Sequence, residues 1–124
     1  MHHYPAFNEL AVRVLLGEEE RARELLPQAE ESLRLLEARS PDIWNRIGLG
    51  DAKLYRMMLG EVVPDKVVEA YSRAFESGAG ANPRERKTVK EHIESLASLA
   101  EGGSEAQKKL LAVRDGLLKP GEVT

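Results

Sequence analysis

The residues able to do chemistry in this chain are few, and their spacing limits what that chemistry could be. Three histidines and no cysteine occur in 124 residues, which removes disulfides, thiolate zinc sites and a cysteine nucleophile. No histidine has a metal-ligating partner at helical i, i+3 or i+4 spacing, and His92 reads as an edge-of-core residue beside an apolar helix face. The start, Met1-His2-His3, places a histidine third from a free amine. Amine, two amides and imidazole could then hold Cu(II) or Ni(II) in a square plane, although chance explains the triplet more simply. No serine sits in a nucleophile-elbow context, and the carboxylates lie on charge-rich faces where solvation accounts for them. The expectation is a protein with no catalytic residue, no metal and no cofactor.

One stretch could cradle a phosphate. Residues 43–60 contain Gly48-Leu49-Gly50-Asp51 in an otherwise helical pattern. At 100° per residue Trp44, Gly48, Asp51, Tyr55 and Met58 share one direction, flanked by Ile47, Leu54 and Leu59. The phase survives the glycines, and no strand precedes them as a nucleotide fingerprint requires. A continuous helix is therefore expected, with Gly48 admitting a neighbouring helix. The alternative is a break in which Asp51 caps a short new helix. In the continuous helix Asp51 needs a donor such as the Trp44 indole, a tyrosine hydroxyl or an arginine, or else is protonated or partly wet.

The remaining chemistry is cationic. Arg46, Leu49, Lys53 and Arg56 lie opposite the Trp44 stripe as one ridge. Arg84, Arg86, Lys87 and Lys90 crowd the start of a later helix, where the macrodipole disfavours cations. Glu85, Glu91 and Glu94 can pair with them along that helix. An acidic partner is the functional reason for the same pattern.

These groups must be positioned by helices. Charged residues are 31% and aromatics 5% of the chain, with 18 Lys and Arg against 21 Asp and Glu. Leu, Ala, Glu and Arg dominate, so the expected class is all-α. The mixed charge does not suggest a dedicated nucleic-acid binder. No apolar stretch approaches the ~20 residues of a membrane span and the start lacks signal-peptide regions, so a soluble, cytoplasmic protein is expected.

Six helices are predicted. The first covers about 5–16, with Phe7, Leu10, Ala11, Val14 and Leu15 inward and Gly17 ending it. The second starts at Glu18, Glu19 and Glu20, carries Ala22, Leu25, Leu26, Ala29, Leu33 and Leu36 inward, and bends at Pro27. Ser40 and Pro41 open the third. The fourth follows Pro64 with Val67, Val68, Tyr71, Ala74 and Phe75 inward, and ends in the loop from Ser77 to Gly80. Asn82, Pro83 and Glu85 form a capping box for the fifth, whose face is Val89, Ile93, Leu96, Ala97 and Ala100. Ser104 caps the sixth, with Ala106, Leu110, Val113 and Leu117 inward. One domain, 1–118, is expected, with 119–124 as a flexible tail.

Turn glycines at Gly17, Gly60 and Gly102, 43 and 42 residues apart, make this a repeat of about 43 residues, three stacked antiparallel hairpins. Trp44-x-x-Ile47-Gly48 and Val67-x-x-x-Tyr71-x-x-Ala74 resemble the first- and second-helix signatures of the tetratricopeptide (TPR) repeat superfamily. Between them lie some seven residues more than the family's usual period of about 34 would place there. Asp51 also replaces an aromatic, and the closing proline is displaced to Pro83. A more distant similarity is to the longer helical repeats of the TRAF-binding regions of stress kinases and their bacterial relatives.

The resemblance implies protein or peptide binding without catalysis, in a groove lined by the first helices of the hairpins. Arg13, Arg46, Lys53, Arg56, Lys87 and Lys90 would make that groove basic, with Leu49 and Met57 adding apolar contact, suited to an acidic peptide or helix. Two other readings stand beside this adaptor. One is RNA or another polyanion on the basic fifth helix, which lacks interleaved aromatics to stack bases. The other is homo-oligomerisation, down to a homodimer, through an unfinished repeat edge.

Overall fold

A computed structural model describes residue 10 and residues 12–40, 42–76 and 80–118, and among them every regular element is helical. Helical residues 12–15 precede five helices: α1 (Glu19–Arg39), α2 (Ile43–Met58), α3 (Pro64–Glu76), α4 (Pro83–Leu99) and α5 (Glu105–Gly116). The all-α class expected from composition holds. The expected Cu(II) site at Met1-His2-His3, Phe7 and Ala11 of the first helix, Pro41, the loop 77–79 and the tail 119–124 lie outside the described residues.

The helix ends follow their local chemistry. At α4 the Asn82 side chain accepts from Glu85 N at 2.8 Å while the Glu85 carboxylate accepts from Asn82 N at 2.8 Å, with Pro83 in the first turn. This reciprocal box satisfies two donors that an open helix start leaves bare. Ser104 caps α5 through Gln107 N, as its position before an acidic first turn suggests. At α2 the expectation of a Ser40 cap fails. Asp42 is the N-cap, accepting from Trp44 N at 2.7 Å, and Ser40 ends α1. Aspartate caps as well as serine, and the capping position is set by where the preceding chain turns. Pro27 lies inside a single α1, consistent with the unbroken phase of its stripe.

Four glycines have positive φ among the described residues, Gly80 among them, and the other three fall at one spacing. Gly17, Gly60 and Gly103, each 43 residues after the last, have φ of +83°, +82° and +77°. The third is thus Gly103 and not Gly102. The first two turns are the same motif: Glu18 N donates to Arg13 O and Gly17 N to Val14 O, while Glu61 N donates to Arg56 O and Gly60 N to Met57 O. This double closure of a helix end around a left-handed glycine satisfies carbonyls that would otherwise be orphaned. The sequence behind it is Arg-x-x-Leu-Gly-Glu at both places, Arg13 to Glu18 and Arg56 to Glu61. Each arginine also pairs with its own glutamate across the turn.

Five residues connect α2 to α3 and five connect α4 to α5. Each pair packs closely along its length, so each folds back as a hairpin. α1 lies against α2, and α5 against α3 and α2. The core joins Leu26 and Leu33 of α1, Leu54 and Tyr55 of α2, Val67, Tyr71 and Phe75 of α3, Val89 and Ile93 of α4, and Leu110 and Val113 of α5.

α2 is buried over a wider arc than the predicted stripe. Asn45, Gly50, Ala52 and Met57 are buried as well as Ile47, Gly48, Leu54 and Tyr55, while Trp44, Asp51 and Met58 are only half-buried. A helix flanked by α1, α3 and α5 has little surface left for solvent. In α1 the predicted Ala22, Leu26 and Leu33 are buried, but Leu36 is 38% exposed and Glu30, expected outside, is 5% exposed.

Candidate binding groove and buried polar pair

The glycine question in α2 resolves at Gly50. The helix runs through both glycines, and a Cβ placed on Gly50 would lie 2.5 Å from Tyr71 Cδ1 of α3. Such a close approach is seen at Gly50, where the flat ring of Tyr71 occupies the space of a side chain. The Tyr71 hydroxyl reaches past it and donates to Asp51 Oδ1 at 2.5 Å. A tyrosine hydroxyl is among the donors that a half-buried Asp51 requires. Burial first, and then the Asp51 charge, push the Tyr71 pKa well above its ordinary value of 10.0. The same two causes in the same order raise Tyr55. Tyr55 Oη and His92 Nε2 of α4 are hydrogen-bonded at 3.1 Å with the rings edge to face, so His92 sits at the margin of the core as its position beside an apolar face suggests. Among the described residues no cluster of metal-ligating side chains occurs.

The ridge on the other side of α2 faces a groove. A space of about 330 Å³ between α1, α2 and α3 is lined by Glu30 and Arg34 of α1, Arg46, Leu49, Ala52 and Lys53 of α2, and Ala70, Arg73 and Ala74 of α3. Three of the residues singled out in the sequence, Arg46, Leu49 and Lys53, therefore meet here. Arg34 and Arg73 join them, and neither was legible beforehand, because nothing within one helix states which helix will stand opposite. Arg46 Nε donates to Glu37 at 3.1 Å, Arg73 pairs with Glu69 at 2.7 Å, and Arg34 approaches Glu31 at 3.9 Å. Lys53 is exposed and its ammonium has no hydrogen-bond or ion-pair partner among the described residues.

The other expected site residues lie elsewhere. Arg56 does not line the groove but grips Glu30 at its wall, through Nε at 2.8 Å and through Nη2, and also reaches Glu61 at 2.5 Å. The Glu30 hydrogen bond raises its pKa further, against the effect of burial. Arg23 extends this network, donating to Leu59 O at 2.9 Å and standing 3.7 Å from Glu61. Met57 is 0% exposed, so it supplies core packing and not a surface contact. It lies on the extra arc of α2 that flanking helices bury. Arg13 pairs with Glu18 at 3.1 Å and lines a separate depression with Glu19, Glu20 and Arg23.

Lys87 and Lys90 belong to α4, which does not line the groove. The physical reason is rotation: Tyr55, which meets α4 through His92, lies about 160° around α2 from Lys53 at 100° per residue. The ridge consequently looks out between α1 and α3. A single basic face shared with Arg13, Lys87 and Lys90 is not formed at this groove.

Comparison with protein families, with curated proteins and with solved structures finds no match to the chain. None of the helices is long and apolar enough to cross a membrane, among the described residues.

Proposed function

We propose that the protein is a non-catalytic interaction module of TPR-like architecture that binds an acidic segment of a partner protein in the groove between α1, α2 and α3. The observation carrying this reading is the composition of that groove: four cations, Arg34, Arg46, Lys53 and Arg73, over an apolar floor of Leu49, Ala52, Ala70 and Ala74. Among the described residues its lining holds one carboxylate, Glu30, which is engaged by Arg56. Such a surface attracts negative charge while its floor excludes water from the contact.

Among the described residues the groove lining has no aromatic side chain, so an RNA strand would find phosphate contacts there without a stacking platform. Support for TPR-like architecture comes from the burial of Ile47, Gly48, Val67, Tyr71 and Ala74 among the signature positions, with Trp44 half-buried, and from the 43-residue spacing of three of the four left-handed glycines, Gly17, Gly60 and Gly103.

The test is affinity capture from lysate, with and without nuclease, comparing the wild type with Arg46→Glu/Lys53→Glu. A nuclease-resistant partner lost from the double variant supports the reading. Identical partners on both baits, or loss on nuclease treatment alone, defeats it.

A further inference from the structure

The four cations of the groove are not equally available. Arg46 and Arg73 are held by Glu37 and Glu69, carboxylates that stand outside the lining, and Arg34 reaches Glu31 only at 3.9 Å. Lys53 is uncommitted among the described residues. A guanidinium has five N–H donors, so Arg46, on the Glu37 carboxylate, keeps donors to spare. The ligand that fits is one that holds Lys53 and recruits those spare donors without having to strip Arg46 of its own glutamate.

A single glutamate side chain is poorly matched to this arrangement. It brings one charge and two oxygens, the same acceptor that Glu37 already offers Arg46. A phosphorylated serine or threonine carries about −1.5 to −2 charges and three acceptor oxygens, enough to take an ammonium and a guanidinium edge together. The volume, about 330 Å³, is at the lower end of ligand pockets, which span roughly 300–1,000 Å³, and suits one such group with a short stretch of chain. Leu49, Ala52 and Ala74 leave a low apolar floor against which backbone can lie.

We propose that the groove recognises a phosphorylated serine or threonine in a partner protein, with Lys53 as its point charge and Arg46 as its flanking fork. This rests on the groove being the binding surface. Phosphorylation of the partner would then control the interaction, because the second charge arrives only with the modification.

The experiment is an amide and arginine side-chain NMR titration of the full chain with three probes. These are a glycine-flanked phosphoserine pentapeptide, the same peptide with three consecutive glutamates in its centre, and inorganic phosphate. The phosphoserine peptide is expected to bind at least tenfold more tightly than either other probe, with shifts confined to Arg46, Arg73 and residues 49–53. Its affinity should fall between pH 7.5 and 5.5, as the phosphate takes up its second proton near pH 6, and no histidine lines the groove among the described residues.

Lys53→Ala should weaken binding at least tenfold with an unchanged circular dichroism spectrum, and Lys87→Ala should leave it intact. Equal binding by the glutamate peptide at the groove overturns the phosphate assignment and leaves the acidic-segment reading standing. Equal binding by inorganic phosphate marks a free-anion site and also overturns it. Shifts at Lys87 and Lys90, or none with any probe, overturn both readings.

Discussion

Tyr71 of α3 lies so close over Gly50 of α2 that an added Cβ would stand 2.5 Å from its ring. Gly50→Ala forces either the ring or the helix to move, and a ring that is 0% exposed has nowhere to go. The gain in helix propensity, about 1 kcal/mol, is outweighed by overpacking, so a net destabilisation of about 1–2 kcal/mol is expected in urea unfolding. Gly102→Ala, with open space around it, should stay within about 0.5 kcal/mol of wild type.

Asp51 accepts from the Tyr71 hydroxyl. Removing the donor with Tyr71→Phe leaves a half-buried carboxylate poorer by one hydrogen bond and should cost about 1–2 kcal/mol. Asp51→Leu should also shift stability by more than the ~0.5 kcal/mol typical of a surface site. An unchanged urea midpoint for both would mean that the pair contributes nothing.

Both Tyr55 and Tyr71 have pKa values raised well above 10.0, by burial and then by Asp51. The unfolded chain releases these protons near pH 10 while the folded chain retains them, so unfolding is favoured as pH rises. Stability is therefore complete below pH 10 and declines above it. In alkaline titration the phenolate absorbance of these two residues should appear together with loss of helical circular dichroism. Phenolate formation by both with the helices intact would contradict this.

Glu30 is 5% exposed and depends on Arg56 for its charge partner. Arg56→Ala strands that carboxylate and should destabilise by about 3 kcal/mol. Arg56→Met combined with Glu30→Met removes both charges and should recover most of the loss, measured as a double-mutant cycle. Additivity of the two single changes would show that the pair is not coupled.

The fold was more legible in the sequence than the site. Phase alone carried α2 through two glycines and α1 through Pro27, and the Asn82, Pro83 and Glu85 triplet named the start of α4. Those features depend on residues a turn apart on one helix. The groove depends on which helices become neighbours, so Arg34 and Arg73 were missed, and Met57 was assigned to a surface that other helices cover. The repeated Arg-x-x-Leu-Gly-Glu turn was present in the sequence throughout. It becomes visible as a repeat only when the hydrogen bonds at Gly17 and Gly60 are seen to be the same.

The most direct measurement of the central claim, that partners enter the groove between α1, α2 and α3, is site-specific photocrosslinking. A genetically encoded diazirine side chain replaces Leu49 on the groove floor or, as a control, Lys87 on α4, and the chain is irradiated in lysate. The account predicts a nuclease-insensitive crosslinked partner protein at position 49, lost when Lys53→Glu is added, and none at position 87. Crosslinking at 87 alone, to nucleic acid, or only to a second copy of the chain would contradict it.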